Sequence, residues 1–330
     1  MRPVAERRVS AHGAGPARVV VTGGAGFIGS HVAEALLARR WEVTVFDDLS
    51  TGSYANVPAG ARFLEADVLD ASRLRDALRG AQVVVHLAAV SSVLRSLNDP
   101  QGVYRINAEG ALSVLEAARH EGVNAIVLAS SAAVYAESRR PRNEISRLGP
   151  QSMYGAAKLA MEQSAMVYGR LYGMHAVNLR YFNVYGPRQR PDLEGAGVMP
   201  IWVDQLRSGA PLDLFGDGRN TRDFTYVLDV ARGTADAVEG AWRGRLSGAL
   251  NLATGRSVTL SYLAALLSEV AGTPLRVRRL ASRAGDLRHS RADITRARKL
   301  LAYEPSVPLE LGVQHTLLAF GIEPVARSAL

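Results

Sequence analysis

The sequence predicts an α/β fold: a doubly wound parallel sheet followed by a smaller C-terminal α/β unit. Three observations carry that expectation. Over the first half, short apolar runs alternate with amphipathic helical stretches, the pattern of buried parallel strands joined by helical crossovers. The first run is followed at once by a glycine-rich turn that opens a helix, and the second by an acidic pair. After Pro187 the texture changes to a polar loop with proline and glycine, then to a different mix of short strands and helices.

Taken in order, Arg18-Val-Val-Val-Thr22 reads as a buried strand, and Gly23-Gly-Ala-Gly26-Phe-Ile-Gly29 as the turn into a helix over 30–39. Residues 42–46 form a second strand ending in Asp47-Asp48. Further strands are expected over 61–66, 82–87, 125–129 and 175–179, with helices over 71–79, 101–121 and 151–172 between them. Beyond the 188–197 loop, helices are expected over 200–208, 227–242, 260–271 and 309–320. Short strands are expected in 211–218 and over 249–253.

The 330 residues suffice for one large α/β unit or two domains sharing an interface. No run of 18 apolar residues suggests a membrane span. Residues 1–16 are polar and Arg-rich without an apolar core, so they read as a disordered tail rather than a secretory signal. There are no cysteines, which excludes disulfides and thiol chemistry and fits a cytoplasmic enzyme. Net charge is +8, but the arginines are scattered and not interleaved with aromatics. That pattern points to a pocket for a small anionic substrate, not to nucleic acid.

The glycine run has the spacing Gly23-x-x-Gly26-x-x-Gly29 between a strand and a helix. Glycines let the backbone approach a pyrophosphate, and the helix N-terminus offers free N–H groups and a favourable dipole. Asp47, at the end of the next strand, would accept from a ribose 2′-OH and repel a 2′-phosphate, which favours NAD over NADP; Asp48 could share that role. Asp67-Val68 and His86-Leu-Ala-Ala89 follow the third and fourth strands, whose ends face a cofactor in such sheets. Asp67 could hold the adenine amino group. His86, after three valines, reads as a packed histidine. Ser130 and Ser131 follow the fifth strand. Tyr154 and Lys158 lie four apart on one helical face. There a lysine ammonium would lower the tyrosine pKa and ready it to take a proton from a sugar hydroxyl.

Together these residues resemble the extended short-chain dehydrogenase/reductases, and within them the nucleotide-sugar 4-epimerases. The resemblance runs from Arg18 to Phe320. It includes Asn107, Arg180-Tyr-Phe-Asn-Val-Tyr-Gly-Pro187, Gly216-Asp-Gly218, Arg222-Asp-Phe-Thr-Tyr-Val227 and Arg283-Ala-Gly-Asp286. It implies a Rossmann domain binding NAD over 18–187 plus about 224–255, a UDP-sugar domain over 188–223 plus about 256–330, and a tail over 1–17. Tyr154 would be the acid/base, Lys158 would hold the nicotinamide ribose, and Ser131 would bond the sugar O4. The implied cofactor set is Gly23, Gly26, Phe27, Ile28, Gly29, Asp47, Asp48, Asp67, Val68, Leu87, Ala88, Ala89, Asn107 and Tyr181. Asn183 would touch the diphosphate, Val198 and Phe215 would hold the uracil, Arg222 and Arg283 would clamp the diphosphate, and Asp286 would meet the nucleotide ribose.

The related dehydratases carry Thr-Asp-Glu where this chain has Ser131-Ala132-Ala133, so water elimination is not expected. The implied reaction is oxidation of a UDP-sugar at C4, turnover of the 4-keto sugar and return of the hydride to its other face. The loop Arg188-Gln-Arg-Pro-Asp192 is similar to that of UDP-glucuronate 4-epimerases, and Arg190, with Ser91 and Ser130, could accept a C5 carboxylate. UDP-glucuronate is therefore favoured. UDP-glucose stays open, as does UDP-N-acetylglucosamine, because Ser91-Ser-Val-Leu-Arg-Ser96 and a small Ser290 resemble enzymes of N-acetylated sugars. A UDP-glucuronate decarboxylase and a non-catalytic NAD-binding scaffold are the competing readings. No metal is expected. The resemblance also implies a homodimer paired through helices around 101–120 and 151–172.

Overall fold

The structure is a computed structural model that describes residues 17–282 and 287–325. The chain runs β1 (Arg18–Thr22), α1 (Phe27–Ala38), β2 (Glu42–Asp47), β3 (Arg62–Glu65), α2 (Ala71–Leu78), β4 (Val83–His86) and α3 (Val93–Asn98). Next come α4 (Pro100–Tyr104), α5 (Gly110–His120), β5 (Ala125–Ser131), α6 (Met153–Tyr172), β6 (His175–Tyr181) and β7 (Val184–Tyr185). Then follow α7 (Val198–Arg207), β8 (Leu212–Phe215), β9 (Thr221–Arg222), β10 (Thr225–Tyr226), α8 (Val227–Trp242) and β11 (Gly248–Leu252). The last elements are β12 (Val258–Thr259), α9 (Leu260–Val270), β13 (Val277–Leu280), α10 (Thr295–Leu301) and α11 (Leu309–Ala319).

Seven strands form one sheet in the order β11-β6-β5-β4-β1-β2-β3, every pair parallel. Helices cover both faces, so the central strands β1 and β4 carry continuous valine runs rather than alternating. Val19 and Val21 join one buried cluster with Val32, Leu36, Val230 and Val238. Val20, one residue between them, joins the other with Leu74, Leu115, Ile126 and Met161. The strand order reverses between β1 and β4, which opens a crevice at their carboxyl ends. A third core, around Trp202, Leu263, Leu267, Val313 and Leu317, belongs to the C-terminal elements that close over that crevice.

The fold departs from the sequence expectations in several places. The helix expected over 101–121 is interrupted by a π-helical turn at Arg105–Glu109. Such turns cluster at functional sites, and this one aims Asn107 at the loop after β4. Helix α3 was not expected; at six residues it is too short to show a period, and Ser92 caps it by accepting from the Arg95 N–H at 2.8 Å. Helix α10 was not expected, and although its stretch was assigned with the substrate domain, Ala297 and Tyr303 pack in the core of the large sheet. Ala17, assigned to the tail, already accepts a hydrogen bond from the Glu42 N–H at 2.9 Å.

Candidate active site

A cleft of about 1020 Å³ lies across the carboxyl ends of the sheet strands. Every described site residue expected from the sequence lines it except Asn107. Gly23, Gly26, Phe27, Ile28, Gly29, Asp47, Asp48, Asp67, Val68, Leu87, Ala88 and Ala89 form one side. Ser91, Ser130, Ser131, Tyr154, Lys158 and Tyr181 also line it, as do Asn183, Arg190, Val198, Phe215, Arg222 and Ser290. Arg283 and Asp286 lie outside the described residues.

The glycine side is built by close approach. Gly23 has φ +69°, and a Cβ there would sit 2.5 Å from the Ala88 nitrogen; one on Gly29 would run into the Gly23 carbonyl. The turn can therefore lie flat against the loop after β4. Helix α1 starts at Gly26 with no side-chain cap, so its first N–H groups, which have no partner within the helix, stay open to the cleft. Asp47 is 6% exposed and accepts from the N–H groups of Ala25 and Leu49, each at 2.9 Å. Burial pushes its carboxyl up, against those two bonds.

The other side rests on α6 lying along β5. Ser152 caps α6 by accepting from the Gly155 N–H at 3.1 Å. A Cβ on Gly155 would meet the Ala133 carbonyl, so this glycine lets the helix start close to the Ser131–Ala133 turn. Tyr154 is hydrogen-bonded to Ser131. Lys158 is 3% exposed and donates to the Ala129 carbonyl at 2.7 Å. Burial lowers its pKa to about 8, with Glu162 working against burial. Tyr181 exchanges a hydrogen bond with Thr234 at 2.9 Å. His86 is the packed group expected: it is 1% exposed, meets the Thr22 hydroxyl at 2.8 Å, and burial, with Lys158 nearby, lowers its pKa to about 3.

Four expectations are corrected. The Tyr154 phenol is raised, not lowered, because burial outweighs the Ser131 bond and the Lys158 ammonium is spent on Ala129. Ser130 lines the cleft, but its hydroxyl donates to buried Glu162 rather than toward a sugar. Asn107 sits behind the cleft, 1% exposed, with its amide bonded to both the N–H and the carbonyl of Val90, at 2.8 and 2.9 Å. It shapes the loop instead of facing a cofactor. Arg190 has its guanidinium forked onto Asp192, two residues on, and an incoming carboxylate would have to displace that partner.

Sequence reasoning missed two residues. Glu162, four after Lys158, lies on the same helical face, and that spacing was a usable signal. Arg95 lines the cleft from α3 and has no side-chain partner among the described residues. Nothing local in the sequence distinguishes it from the other scattered arginines.

The profile of the NAD dependent epimerase/dehydratase family matches residues 19–253. The chain belongs to that family. It is 37% identical to a UDP-glucose 4-epimerase of Mycolicibacterium smegmatis over 92% of this chain and 98% of the relative. Among solved structures, the UDP-glucose 4-epimerase of Thermotoga maritima with UDP-glucose superposes with a TM-score of 0.88 at 36% identity, covering 92% of this chain and 98% of that one. The UDP-glucuronic acid 4-epimerase of Bacillus cereus, with UDP-glucuronic acid and NAD, gives 0.86 at 32% identity, covering 92% and 99%. As an enzyme of this family the protein uses NAD. The residues present fit it: a glycine cradle that a Cβ would obstruct, an uncapped helix start and a buried carboxylate at the end of β2. Among the described residues no helix is long and apolar enough to cross a membrane, and no acidic, His or Cys cluster could hold a metal.

Proposed function

We propose that the protein inverts the C4 hydroxyl of a UDP-hexose. The observation that carries this is the meeting of Tyr154, Ser131 and Lys158 in the same cleft as the glycine cradle. When bound, NAD supplies the hydride acceptor and donor for C4. The protein's part is placement and proton transfer. Tyr154 takes the proton of the 4-OH and returns it. Ser131 shares its hydrogen bond with the sugar O4, and Lys158 holds the cofactor ribose and supplies positive charge. Ala132 and Ala133 offer no acid or base for eliminating water. At the nucleotide end, Phe215 and the Val198 backbone hold the base, and Asn183 and Arg222 hold the diphosphate.

A second reading sharpens the sugar. Arg95 is a cleft arginine without a side-chain partner among the described residues, whereas Arg188 and Arg190 bond Glu34 and Asp192. A free guanidinium suits a carboxylate, which supports UDP-glucuronate as substrate, with Arg95 rather than Arg190 as its receptor. We also infer a homodimer. The helix faces around α6 expose Leu112, Met166, Val167, Leu171 and Tyr172, an apolar surface suited to a second copy; light scattering showing a monomer overturns it.

The experiment is proton NMR of the purified protein with UDP-glucose and UDP-glucuronate in separate tubes. A 4-epimer signal in either tube is the expected result. Conversion of UDP-glucuronate, weakened by Arg95→Met more than by Arg190→Ala, supports the uronate reading; conversion of UDP-glucose alone overturns it. No conversion of any UDP-hexose overturns the function.

A further inference from the structure

Three residues spaced one helical turn apart on α6 engage three consecutive residues of β5. Tyr154 bonds Ser131, Lys158 donates to the Ala129 carbonyl, and Glu162 accepts from the Ser130 hydroxyl. Ser130 stands opposite Arg180 in the β5–β6 register. The Arg180 guanidinium closes on Glu162 as a fork, with Nε to Oε1 at 2.9 Å and Nη2 to Oε2 at 2.6 Å. Its Nη1 donates to the Tyr135 hydroxyl and the Glu144 carbonyl at 2.9 and 3.1 Å. Glu162 is 5% and Arg180 3% exposed. A buried ion pair of this kind adds little net stability over apolar side chains of the same size, because desolvation cancels most of the attraction. Its position, one turn below Lys158 and bonded to Ser130 beside Ser131, calls for another reason.

We propose that Glu162, locked by Arg180, is a positioning residue that keeps the Lys158 ammonium charged and the Ser130–Ser131 strand end in place. The inference rests on the reading of Lys158 as the cation beside Tyr154. The groups around Lys158 support it. His86 on β4 is held neutral by burial, and Tyr154 on the same helix is a phenol. From β5 only the Ala129 carbonyl reaches the ammonium, and Arg180 on β6 is committed to Glu162. Among the described residues, Glu162 is thus the one anion that acts on Lys158. Without it, a lysine already lowered to about 8 by burial gives up its proton at lower pH.

The composition makes the test direct, because the chain has two lysines, Lys158 and the exposed Lys299. Protein labelled with carbon-13 lysine therefore gives one Cε signal for Lys158 and one internal reference. The expected midpoint for Lys158 is about 8. Glu162→Gln is expected to lower it by roughly half to one pH unit, and Glu162→Asp, which keeps the charge, to leave it near the native value. The alkaline limb of kcat should follow the same shifts, with kcat falling more than KM changes. Glu162→Gln leaves Arg180 unpaired in the interior, so Glu162→Gln/Arg180→Met is titrated alongside it as the variant that removes both charges. A midpoint unchanged in every folded variant that lacks the Glu162 carboxylate overturns the proposal. A shifted midpoint in a protein that converts no UDP-hexose upholds it and overturns the proposed function instead.

Discussion

The two sides of the cleft are made by different means. On the cofactor side the main chain does the work: strand ends of β1, β2 and β4, a turn with no room for a Cβ at Gly23 and Gly29, and an uncapped helix start. On the substrate side, side chains bind segments far apart in sequence. The Asp223 carboxylate accepts from the Thr254 hydroxyl and from the N–H groups of Thr254, Gly255 and Ala292. Asn251 donates to the Arg142 and Asp293 carbonyls, and Arg142 to the carbonyls of Ala136 and His289. A site made of main chain fails when atoms are added to it. One made of side-chain hydrogen bonds fails when a polar atom is removed.

Tyr154 stands at the seam between the two and should give the largest effect. Tyr154→Phe keeps the ring and loses the transferable proton, so kcat is expected to fall by about 10³-fold while bound NAD is retained. Turnover within tenfold of the native rate, with NAD content measured in the same preparation, would remove Tyr154 from the chemistry.

Acid should unpick the cofactor side through His86. Its folded pKa of about 3 lies below the ordinary value of 6.5. The unfolded chain therefore binds a proton that the native protein refuses between those two values. Stability is fully present above pH 6.5 and is lost as pH falls toward 3, with on the order of 3 kcal/mol gone by pH 4. Denaturant titrations at pH 7.5, 5.5 and 4 should show this slope, and His86→Gln should flatten it.

Adding one methyl separates a demanded glycine from a merely convenient one. Gly29→Ala is expected to cost about 2–3 kcal/mol and most of the bound NAD, because the new Cβ meets the Gly23 carbonyl. Gly173→Ala, at φ +69° with open space around it, should cost about 1 kcal/mol of left-handed backbone strain and no NAD. Equal losses of NAD in the two variants would argue against a main-chain cradle.

The substrate side should respond to the opposite change. Asp223→Ala leaves the buried donor of Ala292 and the half-buried donors of Thr254 and Gly255 unpaired. About 2 kcal/mol of stability should be lost, and KM for the UDP-sugar should rise several-fold while NAD content holds. Loss of NAD before loss of substrate affinity would erase the distinction between the two sides.

The alternation of strands and helices, the glycine turn and the Tyr154/Lys158 pair could be read from the chain because each depends on neighbours within a few residues. Helix 227–242 was legible residue for residue for the same reason. The six-residue α3 and the β13 strand, with its exposed Arg278 and Arg279, were not, since neither carries a period that local reading can detect. The direction of the Tyr154 shift was misread because spacing alone cannot say where an ammonium spends its hydrogen bond.

The sequence by itself determined the fold class, the cofactor and the placing of Tyr154 and Lys158 on one helical face, because backbone geometry and helical spacing are local and chemistry resides in residue type. Only the tertiary structure decided which polar groups were free to act. It committed Ser130 to Glu162, Asn107 to Val90 and Arg190 to Asp192, and left Arg95 open to the cleft. Hydrogen-bond partners are chosen by proximity in space, and burial sets what an unmade bond costs; neither quantity exists until the chain has folded.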